Sequence, residues 1–540
     1  MKEAANLPLV RSIFSKYLNK WRLVLLIFLV VYATLLSMDL SYMALQWDEM
    51  PHLYGGLLLS RGQFHDYVGV GSFYPPFFDI ATALYFRVLS ESVFSGRLVA
   101  VTFSVLSIWA VFEYAYRLRG PKNAFLASVL LASMPGFIWL SRTALIETML
   151  VFFFSVSLFL FFFGMQTKNN RLLFFSGLAL GLGFLVKYQV LISGLVMLVS
   201  FFTVWRERIL SRFRQFSLVV VVAGVIALAW ICILSRSYPS GSLSNWLYAI
   251  QVGNEERVAY STRFPVPIFY LVEMTSVYDY LHPISLPIYC IALLGLGLWT
   301  WRRKREDLFS LTFFFVVYIV FTLIPNRNWR YTVILFPILA LSASDFALSI
   351  WDRAKSAFGN RKVNLPRIDV NNLVAAVFIF LIGASVVYSS WDAYSWVRRD
   401  SFHVPTEEAT QYVAEHSSLN DTLVVLCPTN LFNVEMMKFY LEKFNLGQRI
   451  IWQYPELPVD AYPIVFNASR LIEQSETLRA KHLLLYEYKG YRFFESELTY
   501  HEVSEILYST GRFAEETWFG ESPNRIFIIS FFSNSTHTGN

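Results

Sequence analysis

A chain of 540 residues with 55% hydrophobic side chains, 18% aromatics and only 16% charge carries more apolar surface than a soluble core can bury. That excludes a soluble globular or a disordered protein. The net charge of +6 is unevenly placed, with 33 Lys and Arg against 19 Asp and Glu before Asp392 and 12 against 20 from there on, which points to basic loops on a membrane protein and away from nucleic acid.

From the N-terminus, apolar stretches of about 17 to 25 residues, enough to cross roughly 30 Å of hydrocarbon, fall at 21–39, 97–117, 123–141, 148–166, 171–187, 188–205, 216–235, 283–301, 308–325, 331–350 and 370–391. They predict a polytopic α-helical membrane protein of about eleven spans. The first is too long for a signal-peptide core and lacks a small-residue cleavage site, so it reads as a retained helix. Lys16, Lys20 and Arg22 flank its start; Arg117, Arg119 and Lys122, then Lys168 and Arg171, then Arg206, Arg208, Arg212 and Arg214 follow. The "RRKR" run at 302–305 and the cluster from Arg353 to Arg367 complete a set that occupies every second loop. By the positive-inside rule these loops are cytoplasmic. The alternate loops, including 40–96, and everything after Trp391 are then extracytoplasmic.

The expected domains are therefore 1–391, membrane-embedded, and 392–540, a soluble outer α/β domain. In the latter "DTLVVLC", "RIIWQY", "HLLLYEY" and "RIFIISFF" read as buried-type strands, and "TEEATQYVAEHS" and "NVEMMKFYLEKF" as amphipathic helices. No nucleotide, hydrolase or metal motif occurs there, so its expected role is packing or holding an acceptor. Asn420, Asn467 and Asn534 head glycosylation tripeptides on that side. Three scattered cysteines, Cys232, Cys290 and Cys427, support neither a disulfide framework nor a thiolate metal site.

The outer side also collects the charges that solvation explains least well. "QWDEMPH" places Asp48 and Glu49 just beyond the first span, in a loop whose apolar segment "FFDIATALYFRVL" is expected to lie along the interface. Arg97 opens the next span, Arg142 and Glu147 sit in "SRTALIETML", and Arg327, Arg330 and Tyr331 in "PNRNWRY". Lys187 interrupts about 30 apolar residues; at membrane depth a lysine costs about 2.5–3.5 kcal/mol, so it needs a partner. Singly, these residues read as loop charges, helix caps or headgroup contacts. Together, two carboxylate sites and several cations at one leaflet boundary suit a charged, lipid-attached group.

The ordered blocks "WDEMPHLYGGLLLSRGQF", "YPPFFDIATALYF", "SGRLVAV", "SRTALIETMLVFFFSVSL", "GLALGLGFLVKYQ" and "NWRYTVILFPILAL", spanning about residues 20–350, resemble those of GT-C glycosyltransferases. The likeness is strongest to protein O-mannosyltransferases and the aminoarabinose transferases of lipid A. The resemblance implies transfer of a sugar from a polyprenyl-phosphate donor to a protein, lipid or glycan acceptor outside the cytoplasmic membrane, with membrane lipids as surroundings and no nucleic acid. Carried over by position, it gives Asp48, Glu49 and Glu147 catalytic roles and Arg97, Lys187, Arg330 and Tyr331 the donor phosphate. Tyr74 stands where a lysine often precedes the paired prolines, and Tyr188 where glycine often follows the lysine. With Arg142 and Arg327 these are candidates for contacting substrate. Glu147 departs from the aspartate common at its position, and no MIR-type tail is recognisable.

The chemistry fits those residue types. A polyprenyl phosphate is a competent leaving group, so cations that stabilise it matter more than an acid. An acceptor hydroxyl is a poor nucleophile, and a carboxylate that takes its proton contributes roughly 10²- to 10⁴-fold. Asp48 is the expected base, with Glu49 and Glu147 orienting donor or acceptor, and a single displacement inverts the anomeric centre. No particular cofactor is implied. A divalent metal stays open: His52, His65 and Asp66 offer ligands, but their spacing matches no metal motif. A secondary transporter, an oligosaccharyltransferase and a non-catalytic scaffold are the alternatives; internal repeats and a WWDYG block, which would mark the first two, are absent from the sequence.

Overall fold

A computed structural model describes residues 19–69, 75–237, 262–276, 281–359, 370–447, 449–455, 465–488, 494 and 498–532. They group into two compact units: Met1–Leu40 with Leu58–Arg398, and Ser41–Leu57 with Arg399–Asn540.

The first unit is helical. Among the described residues seven helices are long and apolar enough to cross a membrane: Lys20–Ser37, Val93–Arg119, Glu147–Thr167, Arg206–Arg236, Arg305–Leu323, Trp329–Arg353 and Ala376–Arg399. Pro121–Ala132 and Pro135–Ser141 pass the same test only together, as a pair bent by 70° that is either a broken span or a re-entrant loop, and Asn170–Phe184, Tyr188–Thr203 and Leu286–Arg302 are shorter apolar helices at the remaining expected places. Lipid offers no partner for a backbone amide, so each segment satisfies its own. Glu147–Thr167 and Trp329–Arg353 are central, 78% buried, whereas Lys20–Ser37 is 22% buried and peripheral.

Small residues set the closest approaches. A methyl group on Gly295 would stand 2.2 Å from the Ser342 carbonyl oxygen, so glycine lets Leu286–Arg302 touch Phe336–Gly359, and the Ser342 hydroxyl donates to the Ala292 carbonyl at 2.7 Å. The bend before Pro135 arises because proline supplies no amide hydrogen and crowds the preceding turn. Polar groups at the bend find distant partners: the Ser389 hydroxyl donates to the Ser133 carbonyl at 2.6 Å and the Gly136 amide to the Pro283 carbonyl at 2.9 Å.

Basic loops gather at one end around buried acids. Asp307, fully buried, accepts from Arg302 Nε and Nη2 (both 2.7 Å), from the Lys304 amide (3.1 Å) and from Arg119. Asp345 accepts from Trp299 Nε1 at 2.7 Å and from Arg302, and Glu306 from Arg119 at 3.0 Å. The network ties together the helices Val93–Arg119, Leu286–Arg302, Arg305–Leu323 and Phe336–Gly359.

The second unit holds a five-stranded mixed sheet of order β2-β1-β3-β5-β4, with β1 Thr422–Leu426, β2 Ile450–Tyr454, β3 Ala480–Tyr486, β4 Phe513–Phe519 and β5 Ile526–Phe531. β1 pairs in parallel with β2 and β3; β5 runs antiparallel to β3 and β4. Side chains alternate across a strand. Val424, Leu426, Leu483 and Leu485 pack under helices Ala468–Thr477 and Tyr500–Ser509, while Leu423, Val425, Leu484 and Tyr486 pack under Thr406–Glu415 and Val434–Lys443. A strand covered on both faces reads as a continuous apolar run, which is why "TLVVL" was legible. β4, "FAEETWF", was not: it is an exposed edge strand with three charged or polar positions in a row. The stretch 40–69, expected as loop, is largely helical, with a 3-10 turn at Trp47–Glu49 followed by helices Met50–Ser60 and Phe64–Gly69; Phe77–Val88 is also a helix.

Candidate functional site

In the first unit the site is built on a helix break. The helix Asn170–Phe184 ends, Lys187 takes an extended conformation (φ −157°, ψ 134°), and a 3-10 turn at Tyr188–Val190 leads into Leu191–Thr203. A carbonyl freed at the break, that of Leu185, accepts from the Phe77 amide at 2.9 Å, which anchors the helix Phe77–Val88 there. Lys187 finds the partner that its apolar surroundings demand: its Nζ lies 3.3 Å from Glu147 Oε1, the two side chains being 14% and 6% exposed. Glu147 is the first residue of the helix Glu147–Thr167, where the dipole favours a carboxylate. The ammonium also stands over the Tyr331 ring, 5.7 Å from its centroid, an interaction worth about 0.5–1 kcal/mol.

Tyr331 is presented by the 3-10 segment Trp329–Leu335, whose entry is fixed by Asn328 Oδ1 accepting from the Arg330 amide at 3.0 Å. Its ring stacks on Phe321 at 5.9 Å. Arg330 is half-buried in the same segment; Arg327 is buried, with its guanidinium 6.0 Å from the Phe269 ring centroid. Tyr188 is half-buried against Phe184. The structure therefore brings together Glu147, Lys187 and Tyr331, with Tyr188 and Arg330 adjacent in sequence to them.

Arg97 and Arg142 meet the chain elsewhere in this unit, where the first span ends. Arg97, fully buried, donates from Nη1 to the Leu40 carbonyl at 2.8 Å. Arg142 donates to the Leu36 carbonyl at 2.6 Å and the Asp39 carbonyl at 3.2 Å. Cations at a helix C-terminus satisfy carbonyls that have no intrahelical partner. Tyr74 lies outside the described residues.

Asp48 and Glu49 belong to the second unit and divide the work of their turn. Glu49 is fully buried and its Oε1 accepts from the Gln46 amide at 3.0 Å, closing the turn on itself, while Asp48 is exposed. Backbone pairings of Ala44 to Asp400 (2.8 Å) and Trp47 to Asn430 (2.9 Å) hold the segment within its unit.

One acid escaped the sequence reading. Glu273 is 1% exposed and accepts from Arg263 Nη2 at 2.8 and 3.0 Å; burial, outweighing that arginine, pushes its carboxyl up to about 7. A lone acid in "IFYLVEM" carried the same signal that singled out Lys187. For a metal, no group of three or more His, Cys, Asp or Glu is placed for coordination among the described residues; His52 is buried in the second unit, and His65 and Asp66 are exposed on a helix of the first.

Fold and comparison agree on the class. The structure superimposes on ArnT from Cupriavidus metallidurans bound to undecaprenyl phosphate with a TM-score of 0.61 at 13% identity, covering 93% of this chain and 97% of that one. It superimposes on the archaeal oligosaccharyltransferase AglB from Archaeoglobus fulgidus, solved with an inhibitory peptide and a dolichol-phosphate, with a TM-score of 0.57 at 12% identity, covering 98% and 75%. This is the GT-C fold: an integral membrane protein with a C-terminal sheet domain. More particularly, residues 74–232 match the family model for dolichyl-phosphate-mannose-protein mannosyltransferase. An undecaprenyl phosphate-α-4-amino-4-deoxy-L-arabinose arabinosyl transferase of Proteus mirabilis is 24% identical over 315 residues, and the match spans about half the length of each chain (56% and 54%). The chain thus resembles the polyprenyl-phosphate-dependent glycosyltransferases that its ordered blocks suggested.

Proposed function

We propose that the chain is a membrane glycosyltransferase that moves a sugar from a polyprenyl-phosphate donor, undecaprenyl or dolichyl, to a protein, lipid or glycan acceptor on the outer face of the cytoplasmic membrane. The observation that carries this reading is the buried Lys187–Glu147 pair beside Tyr331, set in a helix break within a GT-C fold. An ammonium has three N–H donors, so one bond to Glu147 leaves capacity for phosphate oxygens. Glu147 orients the lysine in apolar surroundings, and the Tyr331 ring packs against it.

In the reaction the acceptor oxygen attacks C1 of the sugar while the C1–O bond to phosphate breaks. The bonding pair leaves with the polyprenyl phosphate, which Lys187 stabilises, aided by Arg330; the hydroxyl proton passes to a carboxylate. That base is Asp48, on chemistry and on resemblance: of the adjacent acids, Glu49 is committed to its own turn and Asp48 is exposed. One displacement inverts C1. The alternation of basic loops supports placing 40–96 and 392–540 outside.

A conversion assay with labelled polyprenyl-phosphate sugar tests the assignment. Asp48→Asn keeps shape and loses the base, so turnover falls by roughly 10²-fold or more with donor binding retained, while Glu49→Gln acts chiefly through stability of the turn. Near-wild-type turnover in Asp48→Asn beside complete loss in Glu147→Gln would move the base to Glu147.

A further inference from the structure

Ahead of the span Leu286–Arg302 the chain forms a five-residue helix, Phe269–Glu273, entered by a 3-10 turn at Val266–Ile268. A helix of this length has no stability of its own, so its place is set by what holds it. The Tyr318 hydroxyl donates to the Pro267 carbonyl at 2.8 Å, the Ile284 amide to the Met274 carbonyl at 2.8 Å, and the Thr275 hydroxyl to the Ile284 carbonyl at 3.0 Å. These bonds tie it at one end to the helix Arg305–Leu323 and at the other to the chain just before Leu286–Arg302.

Three of its side chains lead to the segment that carries Arg330 and Tyr331. Phe269 lies under the Arg327 guanidinium, 6.0 Å from its ring centroid. Tyr270 packs edge-on against Phe321 at 6.3 Å, and Phe321 stacks on Tyr331 at 5.9 Å, so a row of rings runs from this helix to the one over Lys187. Glu273, 1% exposed, faces the backbone amide of Trp329, the first residue of the 3-10 segment. The next two amides are bonded locally: Arg330 donates to Asn328 Oδ1 and Tyr331 to the Asn328 carbonyl, each at 3.0 Å. The Trp329 ring is gripped by Trp139 and Trp396, at 6.2 and 5.5 Å, and a methyl group on Gly136 would come within 2.8 Å of it.

Stability does not call for a carboxylate here. A buried ion pair adds little over apolar side chains of the same volume. What it adds is direction, because Arg263 Nη2 reaches both oxygens of Glu273, at 3.0 and 2.8 Å, and so fixes the acceptor that the Trp329 amide meets. That amide is one residue from Arg330 and two from Tyr331.

We propose that Glu273 is a positioning residue of the donor site, setting through the Trp329 amide the register of the segment Trp329–Leu335, and with it the reach of Arg330 and the place of the Tyr331 ring over Lys187. This role presupposes that Lys187, Arg330 and Tyr331 receive the donor phosphate. Glu273 itself acts through Trp329 and touches neither donor nor acceptor.

Affinity for undecaprenyl phosphate is measured on the full-length protein in detergent for two double variants that differ in one acceptor, Arg263→Met/Glu273→Met and Arg263→Met/Glu273→Gln. Neither leaves a buried charge unpaired. The first is expected to bind about tenfold more weakly than wild type and the second within about threefold of it, because the glutamine carbonyl still accepts from the Trp329 amide. With Arg330→Ala/Tyr331→Ala added to each, the two should bind alike, since nothing is left to position. Equal affinity of the two double variants, or a difference that persists when Arg330 and Tyr331 are removed, would overturn the role. Should the first variant fail to fold, Tyr270→Leu breaks the ring contact with Phe321 and should weaken binding several-fold; unchanged binding there would overturn it as well. Lys187→Ala separates this role from the phosphate site it serves. If Lys187→Ala weakens binding while the two double variants match, the positioning role alone falls; if Lys187→Ala leaves binding unchanged, both fall.

Discussion

The first unit treats buried charge in two ways. At the basic-loop end Asp307 accepts four hydrogen bonds, from Arg302, Arg119 and a backbone amide, and Asp345 shares the same arginine. At the helix break Lys187 and Glu147 are joined by a single 3.3 Å contact under an aromatic ring. Redundant bonds make a clamp, because no one ligand can replace all of them. The Lys187 ammonium, by contrast, has N–H donors beyond its one bond to Glu147.

The largest effect expected from this contrast is on stability. Asp307→Ala leaves Arg302 and Arg119 facing each other around a vacated acid, and breaking a buried network from one side costs about 3–5 kcal/mol. Thermal unfolding in detergent should show the loss, with turnover per folded molecule unchanged; a wild-type melting temperature would break the comparison. Lys187→Ala should act on donor binding more than on the fold. Losing a charge-assisted contact costs about 1.5–3 kcal/mol, roughly a 10- to 100-fold drop in donor affinity, and Glu147, left buried without its cation, lowers the melting temperature as well, by less than the loss of four bonds at Asp307 does. Equal donor affinity in the folded variant would return Lys187 to a purely structural partnership with Glu147.

Glu273 gives the smallest effect and lies between the two types, paired by one arginine yet raised to about 7 by burial. A folded-state value above the ordinary 4.5 means that the folded protein holds this proton more tightly than the unfolded chain does. Its contribution to stability is therefore full below pH 4.5 and is lost as pH rises through 7. Melting temperature measured from pH 5 to 8 should fall less in Glu273→Gln than in wild type. Parallel curves would assign the pH dependence to other groups.

These distinctions bear on what the sequence could disclose. Spans are legible because their length is set by the membrane: among the described residues seven expected stretches coincide with helices long enough to cross it, one with a bent pair and three with shorter apolar helices. Lys187 was legible for the same reason: a cation without local excuse requires a partner. That the partner is Glu147, 40 residues away, is a property of packing that no local pattern encodes. The clamp was illegible for the opposite reason. Arg119 and Arg302 stand among the basic residues that mark loop orientation, so their second role around Asp307 was masked by the first. The helix Ala468–Thr477 and the strand β4 are mostly solvent-facing, and few apolar positions record their period, whereas Tyr500–Ser509 does carry Val503, Ile506 and Leu507 at helical spacing. Glu49 and Asp48 look alike in "QWDEMPH"; only the turn separates the buried acid from the exposed one.

The bend between Pro121–Ala132 and Pro135–Ser141 has a consequence for biosynthesis. Its Ser133 carbonyl is met by the hydroxyl of Ser389, 256 residues later. At synthesis rates of about 5–20 residues per second, roughly 13 to 50 s separate the emergence of the two. During that interval the Ser133 carbonyl at the bend is without its Ser389 partner, and a ribosome that stalls before the helix Val370–Arg399 leaves it so.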